Sequence, residues 1–356
     1  MVDWTRKLLD GLLADAPKNV PGTRPIHSTG IGAVGRFRPS HAAAQFAKAE
    51  HFAPVRSIPV TMRFSNGSGS QVPDGAPQVR GLAVKFHLGA ITVDEHGVLH
   101  GERETDMIGM SIPMFVANTV EATLEFSKAY VPRRVPKVGL ILRAKSLVSL
   151  CPLPPMPPAG TMSGDPGVLA FAQTYKPGQA AAFANSLLRP PASYARTSFF
   201  GVHAFDLEDP DGNHRMVRFV FEPAEGLHDE ARTDLAPDYL RTELGTRLER
   251  GPGRFVLRMQ IGDQWDDPTD CTTVWPLNRP RVVMGVLIVD RLVADQEWGC
   301  EKMSYNPGRF VDGIGPSDDP ILFARIAAYN ESQRIRGAAR CPVHVPEARV
   351  TGSLTT

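Results

Sequence analysis

The sequence predicts an α+β protein built on a closed antiparallel β-barrel of about eight strands with helical insertions. Runs with strand-like alternation of apolar and polar residues recur along the chain, and turn-rich or helical stretches separate them. These runs never alternate with single helices as short βαβ units, so a doubly wound parallel sheet is disfavoured. With 356 residues, of which 42% are apolar, we expect one domain with insertions over residues 1–356.

The N-terminal part of the chain is predicted to be helical and then rich in glycine. An amphipathic helix is expected within residues 1–19. The segment 23–40, TRPIHSTGIGAVGRFRPS, follows, and its glycines allow the backbone to pass close to a flat or bulky group. Its letters GIGAVG fit a dinucleotide-binding pattern, but no apolar strand precedes them and no clean helix follows, so that interpretation is disfavoured. A helix is predicted at 40–52.

The strand signal dominates the middle of the chain. Strands are predicted at 58–65, 81–88, 106–115, 254–262 and 281–292, and a hairpin at 202–223. The hairpin prediction rests on a DG turn between two alternating runs. Residues 118–198 are predicted to be a long helical and proline-rich insertion that covers a pocket, and residues 229–250 to be helical.

The last predicted element is a helix at 317–336, SDDPILFARIAAYNESQRIR. Ser317 or Asp318 can accept from the first free amides, and a glycine follows the last residue. Arg325, Tyr329 and Arg336 are four and seven residues apart, so they project from one helix face. Spacing alone is compatible with a core tyrosine beside a surface arginine. It is also compatible with a tyrosinate iron ligand whose ionisation the arginine favours.

Composition and charge exclude several classes of function. The net charge is +1 and the basic residues are dispersed, which argues against a nucleic-acid partner. No window approaches 18 apolar residues, so no membrane span is predicted, and the N-terminus is too charged for a signal peptide. The four cysteines lie far apart and indicate reduced thiols rather than a zinc site. We expect a cytoplasmic protein.

Taken in order, six blocks of this sequence resemble the core of the haem catalases. The blocks are RPIHSTGIGAVGRF at 24–37, RFS at 63–65, RGLAVKF at 80–86, the hairpin HAFDL…VRFVF within 203–221, VWP at 274–276 and YNP…GIGPSDD…R…Y…R at 305–336. Each block is weak alone, but the ordered set is specific and covers roughly residues 20–340. The resemblance implies a haem b cofactor.

On the proximal side of the haem, the resemblance implies that Tyr329 is the metal ligand and that Arg325 is its hydrogen-bonding partner. His203 and Asp319 match positions of a relay behind that arginine. A guanidinium and a metal together allow a phenol to ionise far below its usual pKa.

The resemblance also implies roles around the haem edge and on its distal side. Arg24, Arg63 and Arg336 match positions that pair with the haem propionates, which suits guanidinium geometry. His27 matches the distal catalytic histidine and Ser65 its hydrogen-bonding neighbour. Peroxide cleavage requires a proton to move from one oxygen to the other, and one neutral imidazole can take it and return it.

The sequence departs from the family pattern on the distal side. A distal asparagine is expected within a Gly-Asn-Asn-x-Pro stretch, but the match here is GMSIP, so Met110 or Ser111 stands in its place. Loss of the amide should weaken orientation of a second hydrogen peroxide, and Met110 should favour a larger, less polar oxidant. Asn330 replaces the usual proline after the tyrosine. The chain also lacks the N-terminal arm and C-terminal extension of full-length catalases, and so resembles the small catalase-related peroxidases.

The predicted function is a haem-dependent peroxidase that reduces hydrogen peroxide or organic hydroperoxides with a small organic electron donor, with weak catalase activity at most. A homodimer or another small homo-oligomer is expected. Three alternatives stay open. These are a true catalase, a fatty-acid hydroperoxide isomerase or lyase of the allene oxide synthase type, and a non-enzymatic haem carrier or sensor. Retention of His27 argues against the carrier, which has no need of a distal base.

Overall fold

The computed structural model describes residues 24–54, 57–67, 72–130, 171–232 and 234–338, together with Thr5 and Lys7. The strands are β1 Gly30–Pro39, β2 Ile58–Asn66, β3 Arg80–Val93, β4 Leu99–Met110, β5 Phe199–Phe200, β6 Phe205–Glu208, β7 His214–Pro223, β8 Gly253–Ile261, β9 Arg281–Leu292 and β10 Ile314–Pro316. The helices with complete bounds are α1 Ala43–Phe46, α2 Val120–Tyr130, α3 Gln179–Ser186, α4 Tyr239–Arg250 and α5 Pro320–Ile335.

Eight of the strands pair in a closed ring. The order around the ring is β1, β2, β3, β4, β5, β7, β8 and β9, and β9 pairs again with β1. Every pairing is antiparallel, and β6 and β10 extend the sheet from the edge of β7. The prediction of a closed antiparallel sheet of about eight strands with helical connections is therefore confirmed.

The two faces of the ring carry different residues because side chains alternate along a strand. On β2, Val60, Met62 and Phe64 are fully buried in the main hydrophobic core. Arg63, which lies between Met62 and Phe64, and Ser65, which follows Phe64, point to the opposite face and line a cavity. Residues of β3 and β4 also line this cavity, so this face of the sheet forms its floor.

One row of paired residues forms that floor. Gly30 on β1 lies opposite Ser65 on β2, Ser65 lies opposite Gly81 on β3, and Gly81 lies opposite Met110 on β4. A Cβ atom on Gly30 would lie 2.4 Å from the guanidinium carbon of Arg63. The glycines on both sides of Ser65 therefore leave the space that neighbouring polar side chains occupy.

Several predicted boundaries differ from the structure. The glycine-rich segment contains the full strand β1, which was not predicted because its glycines weaken the alternating pattern. The helix predicted at 40–52 is reduced to α1 and a 3-10 turn at Glu50–Phe52, and the helix at 229–250 begins only at Tyr239. The strand predicted at 106–115 ends at Met110.

Some predictions fall outside the described residues. Within the helix predicted at 1–19 only Thr5 and Lys7 are described, and both are helical. The insertion predicted at 118–198 contains α2, a helical turn at 171–174 and α3, while 131–170 lies outside the described ranges. None of the helices in the described part of the chain combines the length and apolar character that crossing a membrane requires.

Candidate active site

Helix α5 presents the predicted tyrosine to the cavity. Its N-cap is Asp319, whose carboxylate accepts from the Ile321 amide at 2.8 Å, so the prediction of Ser317 or Asp318 as the cap is wrong. Proline occupies the first helical position, where its missing N–H costs nothing. The predicted shared face is present, because Arg325, Tyr329 and Arg336 all line the cavity.

A buried relay lies behind Arg325. Its Nη1 lies 2.7 Å from His203 Nε2, and His203 Nδ1 lies 2.6 Å from an Asp319 carboxylate oxygen. An arginine can only donate, so Nε2 accepts and Nδ1–H donates to Asp319. Burial lowers the pKa of His203, which keeps the ring neutral and suits this tautomer. The relay fixes the guanidinium one helical turn from Tyr329, with its central carbon 5.9 Å from the phenol ring centroid.

His27 and Ser65 form another part of the cavity wall. His27 Nδ1 lies 2.9 Å from Ser65 Oγ, and both side chains line the cavity. His27 has φ of 56°, and it is the one non-glycine residue with positive φ in the described ranges. Such strained backbone is often found at functional positions. Gly81 packs against the pair, since a Cβ there would lie 2.8 Å from both His27 Cε1 and Ser65 Oγ.

The His27 ring is held neutral. Burial, reinforced by the positive charges of Arg63 and Arg325, lowers the pKa of His27 to about 3. A neutral imidazole whose Nδ1–H donates to Ser65 exposes a lone pair on Nε2. The pair can therefore accept a proton from a ligand in the cavity and return it.

The three predicted propionate-binding arginines all donate to one residue, Glu301. Arg24 and Arg63 each donate to the Glu301 side chain, at 3.0 and 3.1 Å, and Arg336 donates to the Glu301 carbonyl at 2.6 Å. Burial and mutual repulsion lower the pKa of Arg24 to about 9 and that of Arg336 to about 10. Burial alone would raise the pKa of Glu301, but Arg63 and Arg24 hold it below its usual value.

A cavity of about 310 Å³ connects these groups. Its lining is mainly apolar, and the insertion supplies part of it through Phe126 on α2, Phe171 in the helical turn 171–174 and Ala181 on α3. Met110 lines the cavity. Ser111 turns away, because its hydroxyl accepts from the Arg80 amide at 2.9 Å. Of the two residues that could stand in place of the amide, Met110 is therefore the one that faces the cavity.

Two groups near the site were missed by the sequence analysis. Glu301 lies in a π-helical turn, Glu297–Glu301, which carried no motif. The sequence analysis gave the cysteines no place near the site, but Cys300 donates to Glu301 at 3.3 Å and Cys271 Sγ lies within 4.8 Å of the facing ligand atoms of His203 and Asp319. The approach of Glu301 to Arg24 and of Cys271 to His203 and Asp319 depends on contacts between distant parts of the chain, so no local signal could have revealed either one.

His203, Cys271 and Asp319 are close enough to hold a metal ion, but their bonds point to a relay instead. Both ring nitrogens of His203 are already engaged by Asp319 and Arg325. Burial raises the pKa of the Cys271 thiol well above its usual value, which disfavours the thiolate that metals bind.

The residues present fit a haem. The Nε atoms of Arg63 and Arg336 are buried and have no partner in the described structure, so two guanidiniums keep donors free for carboxylates. Tyr329, with Arg325 beside it, and His27 line the same apolar cavity, which offers an anionic oxygen ligand and a neutral base to one bound group.

Comparison with known proteins finds one family model and several relatives that match most of this chain. A family model described as Catalase matches residues 8–127 and 179–352. A catalase-related peroxidase of Mycolicibacterium paratuberculosis is 31% identical over 320 residues, which cover 89% of this chain and 90% of that protein. A catalase-related peroxidase of Synechococcus elongatus is 29% identical over 322 residues, which cover 89% of this chain and 84% of that protein.

Solved structures support the fold. A fungal catalase superposes with a TM-score of 0.71 at 20% identity, and the match covers 93% of this chain and 63% of that one. A bacterial catalase gives a TM-score of 0.69 at 22% identity, covering 95% of this chain and 61% of the other. The chain thus spans somewhat less than two thirds of these catalases.

Proposed function

The chain belongs to the catalase family and is an oxidoreductase of the haem peroxidase or catalase type, and from that premise we propose that it is a peroxidase with weak catalase activity at most. Proteins of this family bind haem and act on peroxides. The proposed oxidants are hydrogen peroxide and organic hydroperoxides, and the proposed reductant is a small organic donor. The observation that carries this proposal is that a neutral His27–Ser65 pair lines the same cavity as Tyr329 and as Met110, which stands where the family has an amide.

The proximal residues would hold haem b by its iron and control the charge of the ligand. Tyr329 would bind the iron through its phenolate, and the Arg325 guanidinium would stabilise that anion. His203 and Asp319 keep Arg325 oriented, since their hydrogen bonds at 2.7 and 2.6 Å leave it little freedom. Bound haem supplies the redox chemistry that cleaves the O–O bond.

The distal residues move the proton. His27 Nε2 accepts the proton of the hydroperoxide and returns it to the departing oxygen, which leaves as water or an alcohol. Ser65 fixes the ring plane through the 2.9 Å contact to Nδ1. The lowered pKa of His27, about 3, keeps the base available over the whole physiological pH range.

Met110 and the apolar lining of the cavity favour peroxidase activity over the dismutation of hydrogen peroxide. Dismutation needs a second hydrogen peroxide to be oriented, and a thioether is too weak a hydrogen-bonding group to replace an amide there. Phe126 and Phe171 add apolar surface to the same cavity, which suits an oxidant or donor with an organic group. An alkyl hydroperoxide gains burial from this lining that hydrogen peroxide cannot.

The wider assignments remain predictions. We propose a single catalase-like domain over residues 1–356 and a homodimer or other small homo-oligomer. A cytoplasmic location and the absence of a nucleic-acid partner are expected from composition.

Two measurements on the purified, haem-loaded protein test the proposal. Steady-state assays should show donor oxidation by hydrogen peroxide and by an alkyl hydroperoxide, with slow oxygen release from hydrogen peroxide. Oxygen release as fast as in full catalases would refute the peroxidase assignment. Rearranged lipid hydroperoxides formed without donor consumption would identify an isomerase instead.

The absorption spectrum tests the ligand. Wild-type protein should give the high-spin ferric spectrum of tyrosinate-ligated haem, and Tyr329→Phe should lose it. Tyr239→Phe is the matched control, because Tyr239 bonds to the Pro191 carbonyl and does not line the cavity. A histidine-ligated spectrum in the wild-type protein would overturn the assignment.

A further inference from the structure

The hydroxyl group of Tyr305 is buried beside the cavity and has no hydrogen-bond partner within the described residues. Its side chain lines the cavity, although the residue as a whole is only 4% exposed. A buried hydroxyl that makes no hydrogen bond destabilises a fold, so most such groups in proteins are bonded. The hydroxyl of Tyr305 therefore lowers the stability of the ligand-free protein unless a bound group accepts a hydrogen bond from it.

Two buried tyrosines away from the cavity do have partners. The Tyr194 hydroxyl donates to the side-chain oxygen of Asn66 at 2.9 Å, and the Tyr239 hydroxyl donates to the Pro191 carbonyl. Neither tyrosine lines the cavity. The fold thus satisfies these two phenols internally, whereas the unbonded phenol of Tyr305 lies where a ligand can reach it.

Tyr305 packs on the floor of the cavity, close to Arg63. It belongs to a small hydrophobic cluster against which Ala83 and Ile108 pack. Ala83 lies opposite Arg63 in the pairing of β2 with β3, and opposite Ile108 in the pairing of β3 with β4. This row lies two residues, or about 6.6 Å, along the strands from the row that contains Ser65. Tyr305 therefore lies near a guanidinium and one row away from the distal base.

The charged side chains near Tyr305 do not supply an acceptor for its hydroxyl. Arg63 and Lys85, whose Nζ lies 5.5 Å from the phenol ring centroid, can only donate. The carboxylate of Asp106 is engaged by Lys85 and by Arg309, each at 2.7 Å. Burial raises the pKa of Tyr305 well above its usual range, so the phenol stays protonated and can donate. An anionic oxygen of a ligand is the acceptor that suits a neutral donor beside these cations.

We propose that the Tyr305 hydroxyl donates a hydrogen bond to a carboxylate oxygen of the group bound in the cavity. The inference rests on the proposed haem function, because haem b carries two carboxylates. Tyr305 lies within the YNP block of the sequence, for which the resemblance to the catalases implied no binding role. Because this hydroxyl is bonded only when the ligand is present, it couples ligand binding to the stability of the fold.

The first test needs no ligand. In the haem-free protein, Tyr305→Phe should leave the melting temperature unchanged or raise it by up to about 2 °C, because it removes an unbonded buried hydroxyl. Tyr194→Phe is the matched control and should lower the melting temperature by about 2 °C or more, because it breaks a buried hydrogen bond. A decrease for Tyr305→Phe as large as that for Tyr194→Phe, or failure of Tyr305→Phe to fold, would refute the proposal, since the hydroxyl would then be bonded within the protein.

The second test compares protoporphyrin IX, which has two carboxylates and no metal, with its dimethyl ester. Without iron, binding does not depend on Tyr329 as a ligand, and it can be followed by the fluorescence of the porphyrin. Hydrogen bonds to a charged acceptor are roughly twice as strong as neutral ones, so Tyr305→Phe should reduce the preference for protoporphyrin IX over the ester by about fivefold or more. Tyr194→Phe should keep that preference within about twofold of wild type.

The outcomes separate this inference from the proposed function. If Tyr305→Phe weakens the binding of both porphyrins equally, or of neither, the carboxylate is not the acceptor, while the proposed function is unaffected. If the wild-type protein binds neither haem nor protoporphyrin IX, the proposed function fails and the acceptor assignment fails with it. A reduced preference in Tyr305→Phe together with an undiminished melting temperature supports both the donor and the chemistry of its acceptor.

Discussion

A methyl group at Gly81 tests the distal base without replacing a catalytic side chain. In Gly81→Ala, the new Cβ would lie 2.8 Å from His27 Cε1, 2.8 Å from Ser65 Oγ and 2.9 Å from His27 Nδ1. Ordinary contacts of this kind begin near 3.4 Å. His27 and Ser65 must therefore move by about 0.6 Å, and both ends of their 2.9 Å hydrogen bond are displaced.

The size of the effect follows from that displacement. A shift of about 1 Å in a catalytic group can cost roughly 100-fold in rate, so a shift of about 0.6 Å should cost about tenfold or more. This corresponds to at least about 1.4 kcal/mol of activation free energy. Tyr329 and Arg325 lie on α5, which the new Cβ does not contact, and should not move.

The assay is kcat/KM for donor oxidation by hydrogen peroxide, with the Soret spectrum recorded on the same samples. We expect Gly81→Ala to keep the wild-type spectrum and lose activity. Gly253→Ala is the control, because Gly253 is also in a strand and its Cβ would meet nothing closer than 3.6 Å. Full activity in Gly81→Ala would refute the role of the His27–Ser65 pair. Loss of activity together with loss of haem would refute the claim that the effect is distal.

Two further predictions concern the distal wall and the core. Met110→Asn should raise oxygen release from hydrogen peroxide by about tenfold or more relative to donor oxidation, because the amide restores a polar group to the cavity; an unchanged ratio in oxygen-electrode and donor assays would contradict this. His51 is fully buried beside Phe86, and burial lowers its pKa to about 3 from an ordinary 6.5. Between those values the unfolded chain binds a proton at His51 that the folded chain excludes, so the contribution of His51 to stability is complete above pH 6.5 and falls by up to about 1.4 kcal/mol per pH unit as the pH drops toward 3. Urea unfolding at pH 7 and pH 5 should show a smaller difference for His51→Leu than for wild type, and an equal difference would contradict the assignment.

The sequence pattern was sufficient to predict those elements that depend only on residues close together in the chain. The hairpin of β6 and β7 followed from a DG turn between alternating runs, and the face of α5 followed from the spacing of Arg325 and Tyr329. Strand β1 was missed because glycine carries no apolar side chain to mark the period, although its glycines are needed where Arg63 and Ser65 approach. The N-cap was misplaced by one or two residues because three cap-forming side chains occur in succession at 317–319.

The sequence by itself determined the fold class, the family and the identity of the candidate ligand helix. Those features depend on periodicity and on ordered motifs, which the chain carries locally. Only the tertiary structure decided that Met110 rather than Ser111 faces the cavity, since that depends on strand register. Only the tertiary structure brought Glu301 to Arg24 and Arg336, because these residues are far apart in sequence and their hydrogen bonds exist only after the ring of strands has closed.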